Sequence, residues 1–355
     1  GKSTILRKEF PKSVFIDLLD SELRMRFKRR PSLLYEMLKD KESNTIVVID
    51  EIPEVPELLN EVHRLISEKD IIFVLCGSSA RKLKRKGYNT LGGRAYPCYF
   101  YPLTSNEITD FDLDRALTYG LLPTHYLAKS PKRLLAAYVD VYLKEEIQEE
   151  ALARNLTGFH RFLEIAALTN GEIVNYANIA SECGVSAQTI KSYFGILEDT
   201  LVGYMIPAYT KVMKRRLVQA PRFFFFDVGL TNHLLHRDAL LRGTPEYGHA
   251  FEHFIIMELI AYIGYNHKEE QLSYWRTHTG VEVDVVIGNA KLAIEIKSAD
   301  EIAKRHMKGL KSFGDDYPDC RKIIVSLDRI NRKEDDIELI YVYDFLKMLW
   351  NDELF

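Results

Sequence analysis

At 355 residues and 41.1 kDa the chain is longer than one ordinary domain, and length alone predicts roughly two or three. An apolar fraction of 46% and a charged fraction of 28% exclude a mainly disordered chain and a collagen-like one. The 48 basic and 51 acidic residues leave a net charge of −3, which does not advertise a nucleic-acid binder, although local basic patches stay possible. No apolar run reaches the length of a membrane span, no signal peptide opens the sequence, and no membrane partner is expected. Cys76, Cys98, Cys183 and Cys320 form no CxxC pair and no disulfide framework, so a reducing, cytoplasmic setting is the expectation.

In chain order, the first feature is Gly1-Lys2-Ser3-Thr4. It matches the end of the phosphate-binding loop G-x-x-x-x-G-K-[ST], which joins a strand to a helix. Residues 14–18 read as a short apolar strand, and residues 45–49 as a β-branched strand ending in Asp50-Glu51. A helix-compatible stretch follows, then a second buried strand over 71–76 ending in Gly77-Ser78-Ser79. Strands alternating with helices predict a parallel α/β sheet, whose strand carboxyl ends face a ligand crevice.

Asp50-Glu51 after four apolar residues resembles a Walker B motif. With Leu91-Gly92-Gly93-Arg94 and Tyr101-Pro102-Leu103-Thr104, the first 107 residues resemble the core of a family of prokaryotic AAA+-type P-loop ATPases. The resemblance implies ATP and Mg²⁺ as cofactors. Gly1, Lys2, Ser3 and Thr4 would then bind phosphate, with Ser3 and Asp50 holding the metal. Glu51 would orient the attacking water, and Ser78 or Ser79 would read the γ-phosphate. Arg94 is an arginine-finger candidate, against the plainer reading of a surface arginine on a glycine turn. Acting in trans, it would require a homo-oligomer. The front half of the phosphate loop is not in this sequence. The expectation is a natural chain that begins earlier, the alternative a dead ATPase.

Residues 108–155 read as a helical lid or linker, with Pro123 and Pro131 as breaks. Residues 176–194 carry a helix-turn-helix pattern: a helix ending near Cys183, a turn at Gly184 and an N-cap at Ser186. Residues 197–206 then suggest the hairpin of a winged helix, giving a domain over 156–221. Gln188, Thr189, Lys191 and Ser192 would face a DNA groove, while Lys211, Lys214, Arg215, Arg216 and Arg222 would meet phosphates. The competing reading is a winged-helix fold used as a structural or protein-binding module.

The last third, 222–355, begins with an apolar strand and a helix from about Gly248 that carries Glu252. Strands are predicted over 272–276, 281–287 and 292–297, the last two forming a hairpin across Gly288-Asn289. Glu295 and Lys297, two apart, share one face, and Asp284 lies on the neighbouring strand. Carboxylates converging beside a lysine suit a hard cation, Mg²⁺ or Mn²⁺, and phosphodiester hydrolysis. Residues 331–336 read as a solvated turn before a last strand over 337–342. His249 and His253 flank Glu252 at an offset that is not a zinc signature, and helix packing is their expected role.

The pattern E…D…E-x-K resembles the PD-(D/E)XK nuclease superfamily, and more closely the nuclease-like domain of largely unknown function that accompanies the AAA+-type core. The resemblance implies Asp284 and Glu295 as metal ligands, Glu252 as a third and Lys297 as catalytic. The fold expected is thus α/β throughout: a parallel-sheet ATPase core, a winged helix and a nuclease-like α/β domain. Nucleotide state would control engagement of DNA by the last two. The alternative is a nucleotide-sensing regulator with a protein-binding winged helix and an inactive nuclease-shaped scaffold.

Overall fold

Runs of β-branched residues set the first sheet. The computed structural model describes residues 2–77, 95–139, 156–210 and 219–355. The chain divides into two compact units, Gly1–Phe100 and Tyr101–Phe355. In the first, β1 (Val14–Asp17), β2 (Ile46–Asp50) and β3 (Ile72–Leu75) pair in parallel in that order. Val47, Val48 and Ile49 of the central strand have no exposed surface, as a strand covered on both faces requires. One face packs on Leu58, Leu59, Val62 and Leu65 of α4 (Leu58–Lys69), with α2 (Ser21–Arg29) and α3 (Leu33–Leu38) beside it. The other receives Leu6 of α1 (Lys2–Glu9) against Val48 and Cys76.

In the second unit, α5 (Leu113–Tyr119), α6 (Pro123–Tyr126) and α7 (Pro131–Ala137) come first. Pro123 and Pro131 stand in the first turns of α6 and α7, where a missing N–H costs nothing, so they start helices rather than only breaking them. Then follow α8 (Leu156–Leu168), α9 (Tyr176–Cys183) and α10 (Ala187–Asp199). Gly184 closes α9 at φ 66°, and Ser186 Oγ accepts from Thr189 N at 3.1 Å to open α10. The expected hairpin within 197–206 is corrected. Residues 197–199 finish α10, and β4 (Gly203–Ile206) pairs antiparallel with the distant β5 (Arg222–Phe225). The pairing is driven by the aromatic run, since Phe223 and Phe225 fill a core with Phe159, Phe162 and Phe194.

Next come α11 (Val228–Leu234) and α12 (Pro245–Tyr265). The long helix starts earlier than the sequence suggests, because Thr244 caps it and Pro245 fits its first turn. A six-stranded sheet follows, built from β6 (Leu272–Arg276), β7 (Glu282–Ile287), β8 (Leu292–Lys297), β9 (Arg321–Ser326), β10 (Arg332–Glu334) and β11 (Ile337–Tyr341). Its order is β10-β11-β9-β8-β7-β6. Strands β6, β7 and β8 are antiparallel neighbours, while β8, β9 and β11 run parallel. The stretch read as a solvated turn is partly β10, which pairs with β11. Helix α12 and α14 (Val342–Trp350) cover one face and α13 (Lys308–Gly314) the other. Among the described residues no helix is long and apolar enough to cross a membrane.

Candidate functional site

The candidate side chains fall into two sets, one in each unit. In the first unit, Lys2 stands in the opening turn of α1 and its Nζ donates to the Gly77 carbonyl at 2.8 Å, just past the carboxyl end of β3. Asp50 closes β2 and is 2% exposed. Cys76, buried between them, has its thiol pushed up to about 12 by burial and by a hydrogen bond with Asp50; the Lys2 charge opposes this and that of Glu51 adds to it. Lys2, bonded to Gly77, and Asp50 and Glu51, whose strand end is bonded to Cys76 through Ile49 O and Ile52 N, therefore lie in one neighbourhood at the strand ends. Glu51 adopts a left-handed backbone at φ 55°, ψ 46°, uncommon for a residue with a side chain. Gly77 has no room for one: a Cβ there would meet Pro53 Cδ at 2.6 Å. Ser3 follows Lys2, half-buried, and Thr4 is exposed. A serine hydroxyl and a buried carboxylate are hard oxygen donors of the kind Mg²⁺ takes. Gly1, Ser78, Ser79 and Arg94 lie outside the described residues.

In the second unit, β7 and β8 bring three of the expected residues together. Their ladder pairs Val285 with Ile294, and beyond it the Asp284 side chain takes over. Asp284 Oδ2 accepts from Ile296 N at 2.8 Å and from Lys297 Nζ at 3.3 Å. Lys297 Nζ also meets Glu295 Oε1 at 2.7 Å. Asp284 and Glu295 are each 5% exposed. Glu295 Oε2 is buried with no hydrogen-bond partner. Burial first, and then the Asp284 charge, raise the Glu295 carboxyl well above the usual range. Burial works against the Lys297 ammonium, but Asp284 and Glu295 outweigh it and hold it above its ordinary value. A buried carboxylate oxygen without a donor is costly, and a bound cation would relieve it.

Glu252 reaches the same neighbourhood from α12, with a different partner. Its Oε1 is ion-paired with Arg222, the first residue of β5. Burial raises the Glu252 carboxyl and the Arg222 charge opposes that rise. Arg222 also donates to the Gly171 carbonyl and lies over the rings of Phe224 and Tyr274. The expectation that Arg222 meets a nucleic-acid phosphate is therefore corrected: its side chain is 13% exposed and turned inward. Lys211, Lys214, Arg215 and Arg216 fall outside the described residues. Gly248, one turn before Glu252, is where α12 runs close to the end of β8, since a Cβ there would lie 3.3 Å from Ser298 Oγ. Among the described residues, no group of three or more His, Cys, Asp or Glu is placed to hold a metal ion.

His253 packs in the core, bonded to the Phe225 carbonyl and to Asn170, and burial lowers it to about 4. On α10, Gln188, Lys191 and Ser192 are exposed, and Thr189 is half-buried. Sequence reasoning missed the partner of Glu252. The available signal was a charged residue heading an apolar strand, which needs a buried counter-charge. It also missed Glu258, two turns on from Glu252 along α12. Glu258 accepts from Ser105 N and Oγ, each at 2.8 Å, and from Trp350 Nε1 at 2.7 Å.

The family model for an AAA domain matches residues 1–109. Two domains of unknown function match most of the remainder, DUF8612 over residues 110–241 and DUF4143 over residues 247–345. No curated protein and no solved structure matches the chain. The matches support an AAA-type, ATPase-like protein, in agreement with the three-stranded parallel sheet of the first unit.

Proposed function

We propose that the chain binds and hydrolyses ATP at the end of its first sheet, and that the bound nucleotide controls a metal-dependent phosphodiester-cleaving module in its last third. The observation that carries the first half is the convergence of Lys2, Asp50 and Glu51 beside Gly77 within the AAA match. Lys2 would neutralise phosphate oxygens, and the first turn of α1 would direct its N–H groups at them. Ser3 and Asp50 would hold Mg²⁺, which supplies charge stabilisation for the transferring phosphoryl group. Glu51 would orient the attacking water, with Arg94 as the candidate finger and Ser78 or Ser79 as the polar sensor.

The second half rests on the unpartnered Glu295 Oε2 beside Asp284 and Lys297. Asp284 and Glu295 would hold Mg²⁺ or Mn²⁺, which polarises a phosphodiester and a water molecule. Lys297 would keep the attacking water in place and balance charge on the phosphate. The helix-turn-helix of α9 and α10, within a winged helix over 156–221, would bring DNA to this site. The division expected here is a core over 1–107, a helical linker over 108–155, the winged helix, and a nuclease-like domain over 222–355. A second reading is a nucleotide-sensing regulator with a protein-binding middle domain and an inactive scaffold. Its support is that Lys297 already satisfies one oxygen of each carboxylate.

The test uses a chain carrying a complete phosphate loop. It is incubated with plasmid and single-stranded DNA in Mg²⁺ or Mn²⁺, with and without ATP, beside an Asp284→Ala, Lys297→Ala double variant. Metal-dependent cutting that the double variant loses, and that ATP alters, is the expected result. ATP hydrolysis without cutting in any condition would establish the regulator instead.

A further inference from the structure

We infer that the carboxylate–lysine site takes one divalent cation, held by Asp284 and Glu295, and that Arg222 withdraws Glu252 from the ligand set. The inference rests on the proposed cleavage reading for its choice of ion. It departs from that reading's own expectation that Glu252 is a third ligand.

Three observations carry it. The first is where free oxygens remain. Lys297 takes Glu295 Oε1 and Asp284 Oδ2, and the latter also accepts from Ile296 N. Glu295 Oε2 is buried and unpartnered, and no hydrogen bond among the described residues reaches Asp284 Oδ1. Two oxygens on adjoining strands are thus left for one ion, the rest of its coordination falling to water and substrate. The second is the Arg222–Glu252 pair, 13% and 17% exposed. A guanidinium fixed on Glu252 Oε1, and anchored in turn by the Gly171 carbonyl and two aromatic rings, already supplies the positive charge that Glu252 would otherwise offer to a cation. The third is charge. With all three carboxylates ionised, as a bound cation would keep them, Glu252, Asp284 and Glu295 count three negative charges against two positive ones on Arg222 and Lys297, leaving −1. One divalent ion brings the site to +1, which matches a phosphodiester of charge −1. Two ions would bring it to +3 in a pocket whose carboxylates are nearly all buried.

Packing on the far side limits the space further. Gly309 in α13 lies so close that a Cβ there would meet the Glu282 carbonyl oxygen at 2.0 Å and Glu295 Oε2 at 3.3 Å. The open oxygen of Glu295 is therefore walled on the α13 side.

The measurement is a Mn²⁺ titration of the nucleotide-free full chain, with free Mn²⁺ followed by electron paramagnetic resonance. The counted ions are those lost on Asp284→Asn. One such ion per chain is expected, weakened at least about tenfold by Glu295→Gln, since losing a direct ligand costs no less than losing an outer partner of one. Replacing the ion pair together, Arg222→Met with Glu252→Met, removes two opposite charges and should leave the count at one. Buried pairs usually tolerate such replacement, and a thermal melt checks the fold. Arg222→Met alone frees Glu252 and should tighten the ion or admit a second. Two ions in the unaltered chain, or loss of the ion from the paired variant, would overturn the one-ion assignment while leaving metal-dependent cleavage standing. No ion lost on Asp284→Asn would overturn both. One ion without DNA cutting would uphold the assignment and remove the cleavage reading.

Discussion

Glu258 shows how much one buried carboxylate can weigh on the second unit. It is 2% exposed, and burial raises it from 4.5 to about 7 despite three hydrogen bonds. A raised carboxyl favours the protonated form in the folded state. Its contribution to stability is therefore complete below pH 4.5 and is lost as pH climbs through about 7. The shift corresponds to about 3 kcal/mol between those limits. Asp227, buried at the start of α11 and raised to about 6 by burial, has the same sign. Glu258→Gln should flatten the fall in stability between pH 5 and 8 and cost about 1 kcal/mol at pH 5, where Trp350 loses its acceptor. Urea melts at several pH values read both effects, and an unchanged slope would mean that Glu258 is ionised at little cost. Nothing in the sequence marks Glu258, because its partners Ser105 and Trp350 lie 153 and 92 positions away. Asp284, Glu295 and Lys297 were legible for the opposite reason. Period-two spacing on two strands joined by a tight turn fixes which side chains meet. Lys2 was legible only as a motif, and its contact with Gly77, 75 positions on, was not.

At the scale of elements, local chemistry and tertiary packing separate cleanly. The α9–α10 turn is written locally, by Gly184 in the left-handed region and by the Ser186 cap. Ser186→Ala should cost about 1 kcal/mol through the lost cap. Gly184→Ala should cost about 1–2 kcal/mol through conformation alone, since nothing lies within 4 Å of the added carbon. Gly309→Ala differs in kind. Its added carbon strikes the Glu282 backbone, so α13 must move, at about 1–3 kcal/mol, and the Glu295 pocket shifts with it. Denaturant midpoints rank the three. Equal costs at Gly184 and Gly309 would mean that α13 yields more easily than its packing implies. The β4–β5 pairing was beyond sequence reasoning for a related reason. Phe223 and Phe225 pair with whichever strand completes their core, and that strand lies across a long connection. The short β10 was missed because Asn331 to Asp336 is polar, and polarity reads as a turn when an edge strand needs no apolar face.

For the whole molecule, control of the last third by nucleotide is a claim about free energy, and free energy makes it reciprocal. If ATP changes the affinity for DNA by some factor, DNA must change the affinity for ATP by the same factor. The two units have separate cores, one built on β2 and α4, the other on α12 and the six-stranded sheet. Nucleotide binding to the first should stabilise it by about 2.7 kcal/mol at a hundred times its dissociation constant. Without coupling, that gain stays in the first unit's transition. With coupling, calorimetry should show the second transition moving too, and titrations of ATP with and without an oligonucleotide should close the cycle. Lys2→Ala should abolish the nucleotide effect on both transitions and lower ATP turnover at least about a hundredfold, as loss of one charge-stabilising donor does in other active sites. Equal ATP affinities with and without DNA, in a chain that still cuts DNA, would leave two independent activities and no control between them. A factor of ten in both directions would place about 1.4 kcal/mol of coupling between the nucleotide site and the DNA site.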